Sequence, residues 1–172
     1  MKFLTTLIVF ILCVRTSQAQ NFENKPKPDL DFVKFFEGAW VGSGQFSNGK
    51  KIEADASFNL SLDSCWLIYT HTDRSPNRYK AISVWGIDKS TGKFMDYVFD
   101  NFHGHRLFTG DGWNTARLIL TSKEITPAAT TFFQRFTYLK IDADRFTMSY
   151  EVSNDSISWK LGDSLVFVKQ PN

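Results

Sequence analysis

The segment KKIEADASFNLSL, residues 50–62, constrains the fold of this chain more than any other stretch. Its apolar residues recur at every second position, and the positions between them are polar or charged. The apolar set is Ile52, Ala54, Ala56, Phe58, Leu60 and Leu62. Successive side chains of a strand point to opposite faces, so this period of two predicts a β-strand with one buried and one solvated face.

The rest of the chain repeats this organisation. Clusters of turn-forming residues separate aromatic and β-branched segments at short intervals. Ten strands are predicted, at 39–46, 51–62, 65–72, 79–87, 93–101, 104–110, 115–123, 131–141, 145–153 and 156–169. We expect an all-β domain, a single antiparallel up-and-down barrel of about ten strands, because closure removes exposed strand edges. A two-sheet sandwich is the alternative.

Helical spacing occurs only ahead of the first strand. The apolar residues between Asp29 and Gly38 recur at intervals of three and four, which predicts a short N-terminal helix of one or two turns that ends at Gly38. They are Leu30, Phe32, Val33, Phe35 and Phe36.

The first 19 residues have the pattern of a secretory signal peptide. Lys2 is followed by an apolar run over residues 3–14, and small residues lie at the expected cleavage point after Ala19. The run is too short for a membrane span, and no later stretch rivals it. We therefore expect export to the periplasm or the extracellular space, with a flexible leader over 20–29 and one β-barrel domain over 30–172.

Charge and cysteine content narrow the classes of partner. The chain has 20 basic and 18 acidic residues, and cleavage after Ala19 removes Lys2 and Arg15, leaving a near-neutral protein. It contains no basic run interleaved with aromatics, so nucleic acid is not an expected partner. The mature chain keeps one cysteine, Cys65, which forms no internal disulfide and is predicted to be buried.

Three motifs resemble a known superfamily. The Gly38-Ala39-Trp40 motif, placed after a short helix, resembles the opening motif of the calycins, which include lipocalins and fatty-acid-binding proteins. WGIDKSTGKFMDYVFDN (85–101) and YEVSNDSISWKLGDSLVFVKQ (150–170) are similar to a bacterial lipocalin-like family of uncharacterised proteins. The resemblance spans residues 35–169 and implies a barrel of eight to ten strands around a cavity for a small apolar ligand.

Two departures accompany the resemblance. Ile87 stands where the family usually has tyrosine, and the disulfides of many secreted lipocalins are absent. The glycine-rich opening is also similar to that of haem-binding nitrobindin barrels, but no histidine follows His105 at the position of their iron ligand. No cofactor is predicted.

The opening motif also has a structural interpretation. Trp40 on the inward parity would plug one end of the barrel, with Gly42 and Gly44 allowing close approach of strands. The resemblance implies that a basic residue of the last strand lies over this tryptophan, and the matching position is Lys169.

Aromatic residues supply the candidate ligand-binding set. The chain has 17 Phe, 5 Tyr and 5 Trp, and a barrel interior built from them is either hollow or filled. In the fifth predicted strand we expect Met95, Tyr97 and Phe99 to face inward, which places Asp96 and Asp100 outside. The ligand-binding candidates are Phe58, Trp66, Trp85, Tyr97, Phe99, Arg135, Met148 and Tyr150.

Arg135 is the most conspicuous polar member of that set. Inside the barrel, its planar guanidinium would bind a ligand carboxylate together with Tyr150 or Tyr97, as the resemblance to fatty-acid-binding barrels implies. Placement on the outer surface is the alternative, because the strand parity between Phe132 and Phe136 is ambiguous.

The histidine pair in NFHGH is a candidate metal site. His103 and His105 share a strand face if the strand continues, but a complete site needs further ligands, for which His71, Asp96 and Asp100 are candidates. The segment also has the composition of a hairpin loop. We therefore predict no metal site and place both histidines at the rim of a barrel mouth.

These observations favour an exported monomer that binds a small apolar or amphipathic molecule in its lumen. A calycin-type enzyme, such as an isomerase, cyclase or decarboxylase, is the first alternative, and a filled barrel that interacts through its loops is the second. The sequence contains no nucleophile elbow, phosphate loop or zinc-protease motif.

Overall fold

The computed structural model describes residues 27–125 and 129–171. The predicted signal peptide, and the part of the leader before residue 27, lie outside the described residues. A short helix precedes ten strands: α1 (Leu30–Phe36), β1 (Gly38–Phe46), β2 (Lys51–Ser61), β3 (Trp66–Asp73), β4 (Lys80–Ile87), β5 (Phe94–Asp100), β6 (His105–Gly110), β7 (Arg117–Ile125), β8 (Thr131–Lys140), β9 (Arg145–Ser153) and β10 (Lys160–Lys169).

The ten strands form a closed antiparallel barrel. Each strand pairs with its neighbours in the sequence, and β1 pairs with β10 to close the ring. The predicted all-β barrel, its ten strands and its short N-terminal helix are therefore confirmed, and the sandwich alternative is wrong. No helix among residues 27–125 and 129–171 is long and apolar enough to cross a membrane.

Strand β2 follows its sequence pattern as far as Leu60, but the strand ends at Ser61, and Leu62 is 67% exposed in the turn that follows. Ile52, Ala54, Ala56 and Phe58 are buried on the inner face, and the alternate residues face outward. The small alanines lie opposite Gly42 and Trp40 of β1. A side chain at Gly42 would collide with the Phe167 ring, so this glycine gives that ring its space inside the barrel.

Helix α1 closes one end of the barrel. The Asp29 carboxylate accepts hydrogen bonds from the backbone N–H groups of Asp31 and Phe32 and caps the helix. The apolar face of the helix is buried and packs into the aromatic interior. Phe36 lies 5.0 Å from Phe58 and 5.2 Å from Phe146, measured between ring centroids. This end is a packed aromatic plug.

Trp40 joins α1 to the barrel wall. Its indole N–H donates a 2.7 Å hydrogen bond to the carbonyl of Phe36. The Lys169 ammonium lies 5.2 Å from the centroid of the Trp40 ring and donates to the carbonyl of Phe35 at 2.8 Å. This is the cation–π arrangement that the resemblance to the calycins implies for the pair.

The parity predicted for β5 is wrong. Asp96 and Val98 are buried on the inner face, whereas Tyr97 and Phe99 lie on the outer face with 37% and 53% of their surface exposed. Both faces of β5 carry large apolar residues, so alternation alone does not indicate which face lies inside. The interior beside β5 is a cavity lined by both polar and apolar side chains, and Asp96 faces it.

The predicted inward placement of Trp66 and the predicted burial of Cys65 are also wrong. Trp66 is outward-facing, and its ring covers Gly86 on the outer surface of β4. Cys65 is half-buried in the turn between β2 and β3 and is not a core residue.

Candidate ligand cavity

A cavity of about 500 Å³ occupies the half of the barrel away from α1. The loops between β1 and β2, β3 and β4, and β5 and β6 contribute to its rim through Lys50, Pro76, Asn77, Arg78 and Phe102. Its walls combine apolar and polar side chains of inward-facing strand positions. The wall residues include Ile52, Tyr69, His71, Ser83, Asp96, Val98, Arg106, Phe136, Tyr138, Met148, Tyr150, Asp163 and Leu165.

A chain of polar groups runs along the inner face of β3. The Tyr69 hydroxyl lies 2.9 Å from His71 Nδ1, and His71 Nε2 lies 2.9 Å from Asp73 Oδ1. All three residues are buried, because they occupy alternate positions of one strand. If His71 Nε2 donates to Asp73, then Nδ1 accepts from the Tyr69 hydroxyl. Burial raises the pKa of Tyr69 well above its usual value, so this phenol is neutral.

A second network surrounds Arg106 on β6. Its guanidinium donates to Asp100 at 2.8 Å, to the Tyr79 hydroxyl at 3.0 Å and to Gln134 Oε1 at 3.3 Å. Tyr150 donates to the same Gln134 oxygen at 2.7 Å. The charge of Arg106 is therefore compensated by Asp100, and its Nε is buried without a hydrogen-bond acceptor.

Asp96 is the buried acid between these two networks. Only 1% of its surface is exposed, and neither carboxylate oxygen has a hydrogen-bond partner of normal geometry. Burial raises the pKa of Asp96 to about 7, against weaker opposing effects of Ser83, Trp85 and Arg106. Ser83 and Trp85 are close enough to act on the carboxyl, but the Trp85 indole N–H is itself buried without a partner.

Asp163 is a second acid of the cavity. Burial raises the pKa of Asp163 to about 6, with His71 lowering it and Asp73 raising it. Two carboxyl groups thus face the cavity with proton affinities in the neutral range, which is a common property of ligand and catalytic sites.

The structure separates the predicted ligand-binding residues into three groups. Met148 and Tyr150 line the cavity. Phe58 and Trp85 face inward but are packed into the aromatic plug with Phe36. The remaining four are on the outer surface of the barrel: Trp66, Tyr97, Phe99 and Arg135.

The placement of Arg135 inside the barrel is therefore wrong, and the surface alternative holds. Its Nε donates to Glu151 at 2.9 Å, and its guanidinium lies 4.1 Å from the centroid of the Trp159 ring. The neighbouring Gln134 and Phe136 point inward. The arginine of the lumen is Arg106, which the sequence interpretation did not select.

Both histidines of the candidate metal site, His103 and His105, lie at the mouth end of the barrel. His103 is exposed in the turn between β5 and β6, where its φ of 66° is left-handed, and His105 is exposed on the outer parity of β6. Within residues 27–125 and 129–171, no group of three or more His, Cys, Asp or Glu is arranged to hold a metal ion.

Sequence reasoning missed His71, Asp96 and Arg106 as lumen residues. A signal was present for His71, since it shares parity with Tyr69 and Leu67 on a strand with an apolar inner face. For Asp96 and Arg106 the signal was their parity with Phe94, Val98 and Phe108, which are all buried.

No protein-family model and no curated protein sequence matches this chain. Among solved structures, the barrel is similar to that of Rv2717c from M. tuberculosis, with a TM-score of 0.58 and 14% sequence identity. The match covers 83% of this chain and 97% of that chain. At this level of identity, what the two proteins share is the barrel fold.

Proposed function

We propose that this protein is an exported, calycin-like monomer that binds a small amphipathic molecule in the open half of its barrel. The observation that carries the proposal is a 500 Å³ cavity into which buried polar groups without partners project. A cavity of this size suits a small organic molecule, and a few convergent polar groups on apolar walls are typical of ligand sites.

The distribution of wall residues supports an amphipathic ligand. Phe136, Met148 and Leu165 provide an apolar surface, and Asp96 and Arg106 provide polar atoms. The unpaired atoms of the cavity wall are Arg106 Nε and both oxygens of Asp96. Leaving such groups unpaired costs about 1–3 kcal/mol each, so a ligand that pairs with them gains affinity.

The cavity can be tested first with the neutral fluorescent dye Nile red and with native mass spectrometry. We expect the dye to bind with one-to-one stoichiometry and enhanced emission. Ala81→Phe, a substitution on the cavity wall, should weaken binding at least tenfold because the ring occupies ligand space. A variant that binds the dye as tightly as the unmodified protein would contradict a lumenal site.

The matched control is Ile82→Phe. Ile82 follows Ala81 on β4 but faces outward and is 52% exposed, so the same ring is added outside the barrel. This variant should bind the dye normally. Far-UV circular dichroism of both variants separates loss of binding from loss of fold.

Proton-transfer catalysis on the bound molecule is a second candidate, favoured by the Tyr69–His71–Asp73 chain. An oriented histidine between a carboxylate and a phenol has the geometry of a general acid–base group. A ligand retained by the protein, incubated with it in D2O, should then gain deuterium at carbon, and His71→Gln should abolish that gain. Equal exchange with and without protein would contradict catalysis.

A further inference from the structure

The charge balance of the cavity identifies a class of ligand. Among the described residues that line it, Arg106 is paired with Asp100, and His71 is engaged by Asp73. Asp96 and Asp163 have no cationic side chain of the described residues within ion-pair distance. Two further cations, Lys50 and Arg78, line the cavity at its rim. The unmatched groups of the wall below the rim are therefore acidic.

Aromatic rings surround the more deeply buried of these acids. Tyr69 and Tyr138 line the cavity, and each lies near the Trp85 ring, at 5.5 Å and 5.0 Å between centroids. The pKa values of both phenols are raised by burial and by the charge of Asp96 among other groups. They therefore stay neutral and present electron-rich rings, which attract cations.

We propose that the ligand carries a protonated amine, which pairs with the Asp96 carboxylate while its apolar body lies against Phe136, Met148 and Leu165. This inference rests on the proposed binding of a molecule in the lumen. An ammonium group would supply the donors that both oxygens of Asp96 lack and would interact with the rings beside it.

The unpaired donor on the cavity wall indicates a second polar group of the ligand. Arg106 Nε is buried on the cavity wall and can only donate. A neutral oxygen on the ligand, such as a hydroxyl or carbonyl, would satisfy it. A fatty acid fits less well in the depth of the cavity, because its carboxylate would lie near Asp96 and Asp163, and Arg106 is already bound to Asp100; the other two cations, Lys50 and Arg78, lie at the rim.

The test uses three dansyl amides that share a five-carbon chain and end in an ammonium, a hydroxyl or a carboxylate. Fluorescence titration at pH 7.5 measures their affinities for the unmodified protein, for Asp96→Asn and for Asp111→Asn. Asp111 is an exposed acid outside the cavity, paired with Lys93, and serves as the matched control.

We expect the ammonium probe to bind the unmodified protein and Asp111→Asn at least tenfold more tightly than the hydroxyl probe. In Asp96→Asn this preference should fall below threefold, with the affinity of the hydroxyl probe unchanged. Tighter binding of the carboxylate probe, or a preference that survives Asp96→Asn, would overturn the inference. Absence of binding by all three probes would overturn the proposed function as well, so the two failures are distinguishable.

The pH dependence provides an independent readout. The groups that face Asp96 are Arg106, Tyr69, Tyr79 and Tyr138, and all of them keep their charge state between pH 6 and pH 8. The amine remains protonated in this range, while Asp96, with a pKa of about 7, ionises. Affinity for the ammonium probe should rise about tenfold from pH 6 to pH 8. In Asp96→Asn this rise in affinity should disappear. A rise that persists in Asp96→Asn would mean that Asp163, and not Asp96, pairs with the ammonium group, which would overturn the inference.

Discussion

The two halves of the barrel are built on different principles. Around α1, Phe36 and Trp40 pack against other buried aromatic rings, and the polar atom of Trp40 is hydrogen-bonded. Around the open mouth, His71, Asp96 and Arg106 face a cavity. Close packing stabilises the half around α1, whereas unpaired polar atoms reduce the stability of the half around the cavity. The packed half therefore supplies stability that the hollow half lacks.

The strongest test of this contrast is truncation within the plug. Trp40→Ala removes a fully buried ring that contacts Phe35 and Phe146 and leaves the carbonyl of Phe36 without its donor. We expect the free energy of unfolding to fall by about 3–5 kcal/mol. Urea denaturation measures it.

Phe102→Ala is the control for that truncation. Phe102 belongs to the mouth, lines the cavity and is 66% exposed, so its loss should cost under about 1 kcal/mol. Equal losses for the two variants would remove the distinction between a packed and a hollow half.

The second test addresses the energetic cost of the hollow half. The pKa of Asp96 is about 7 in the folded protein, above the ordinary 3.8 of an unfolded chain, so the folded state favours the protonated acid. The stability due to this group is complete at low pH and is lost as pH rises through 7. Asp96→Asn, which cannot ionise, should gain about 4 kcal/mol relative to the unmodified protein between pH 4 and pH 8.

Thermal or urea unfolding at both pH values measures that gain. Asp111→Asn is again the matched control, because Lys93 lowers the pKa of Asp111. Removal of this acid therefore cannot raise the free energy of unfolding as the pH rises. A gain for Asp96→Asn that is the same at pH 4 and pH 8 would indicate that the pKa of Asp96 is the same in the folded and unfolded protein.

The contrast between the halves also explains what the sequence could predict. The rule that apolar residues face inward works for β2, whose Phe58 lies in the aromatic plug and whose Ile52 lies on the cavity wall. It fails for β5, where Asp96 faces the cavity and Tyr97 faces out. Strand number and order follow from turns and alternation, which do not depend on what fills the lumen.

The candidate site could be predicted only in part for the same reason. Met148 and Tyr150 are apolar or aromatic residues on an inward parity, which predicts them as ligand-binding residues. Both line the cavity. Arg106 and Arg135 both lie among apolar neighbours, and the sequence alone does not state which one has a buried acid beside it. That information comes from the register, which places Arg106 opposite Val98 and within 2.8 Å of Asp100.

A third prediction separates these two arginines. Arg106→Met leaves Asp100, Tyr79 and Gln134 without their shared donor in a half-buried network, and should lower the free energy of unfolding by about 3 kcal/mol. Arg135→Met removes a pair with Glu151 on the outer surface and should cost under about 1 kcal/mol. Chemical denaturation of both variants measures the difference, and a larger loss for Arg135→Met would reverse the assignment of inner and outer arginine.

The smallest expected effect concerns the link between the plug and the last strand. Lys169→Met keeps the aliphatic stem but removes the ammonium that lies over Trp40 and donates to the carbonyls of Lys34 and Phe35. We expect a loss of about 1 kcal/mol, because the site is partly solvated and the methionine still covers the ring. Lys160→Met, at the exposed start of the same strand, should be neutral in the same denaturation measurement. Probe affinity should be unchanged in both variants, since Lys169 lies at the packed end; a change confined to Lys169→Met would show that the plug also shapes the cavity.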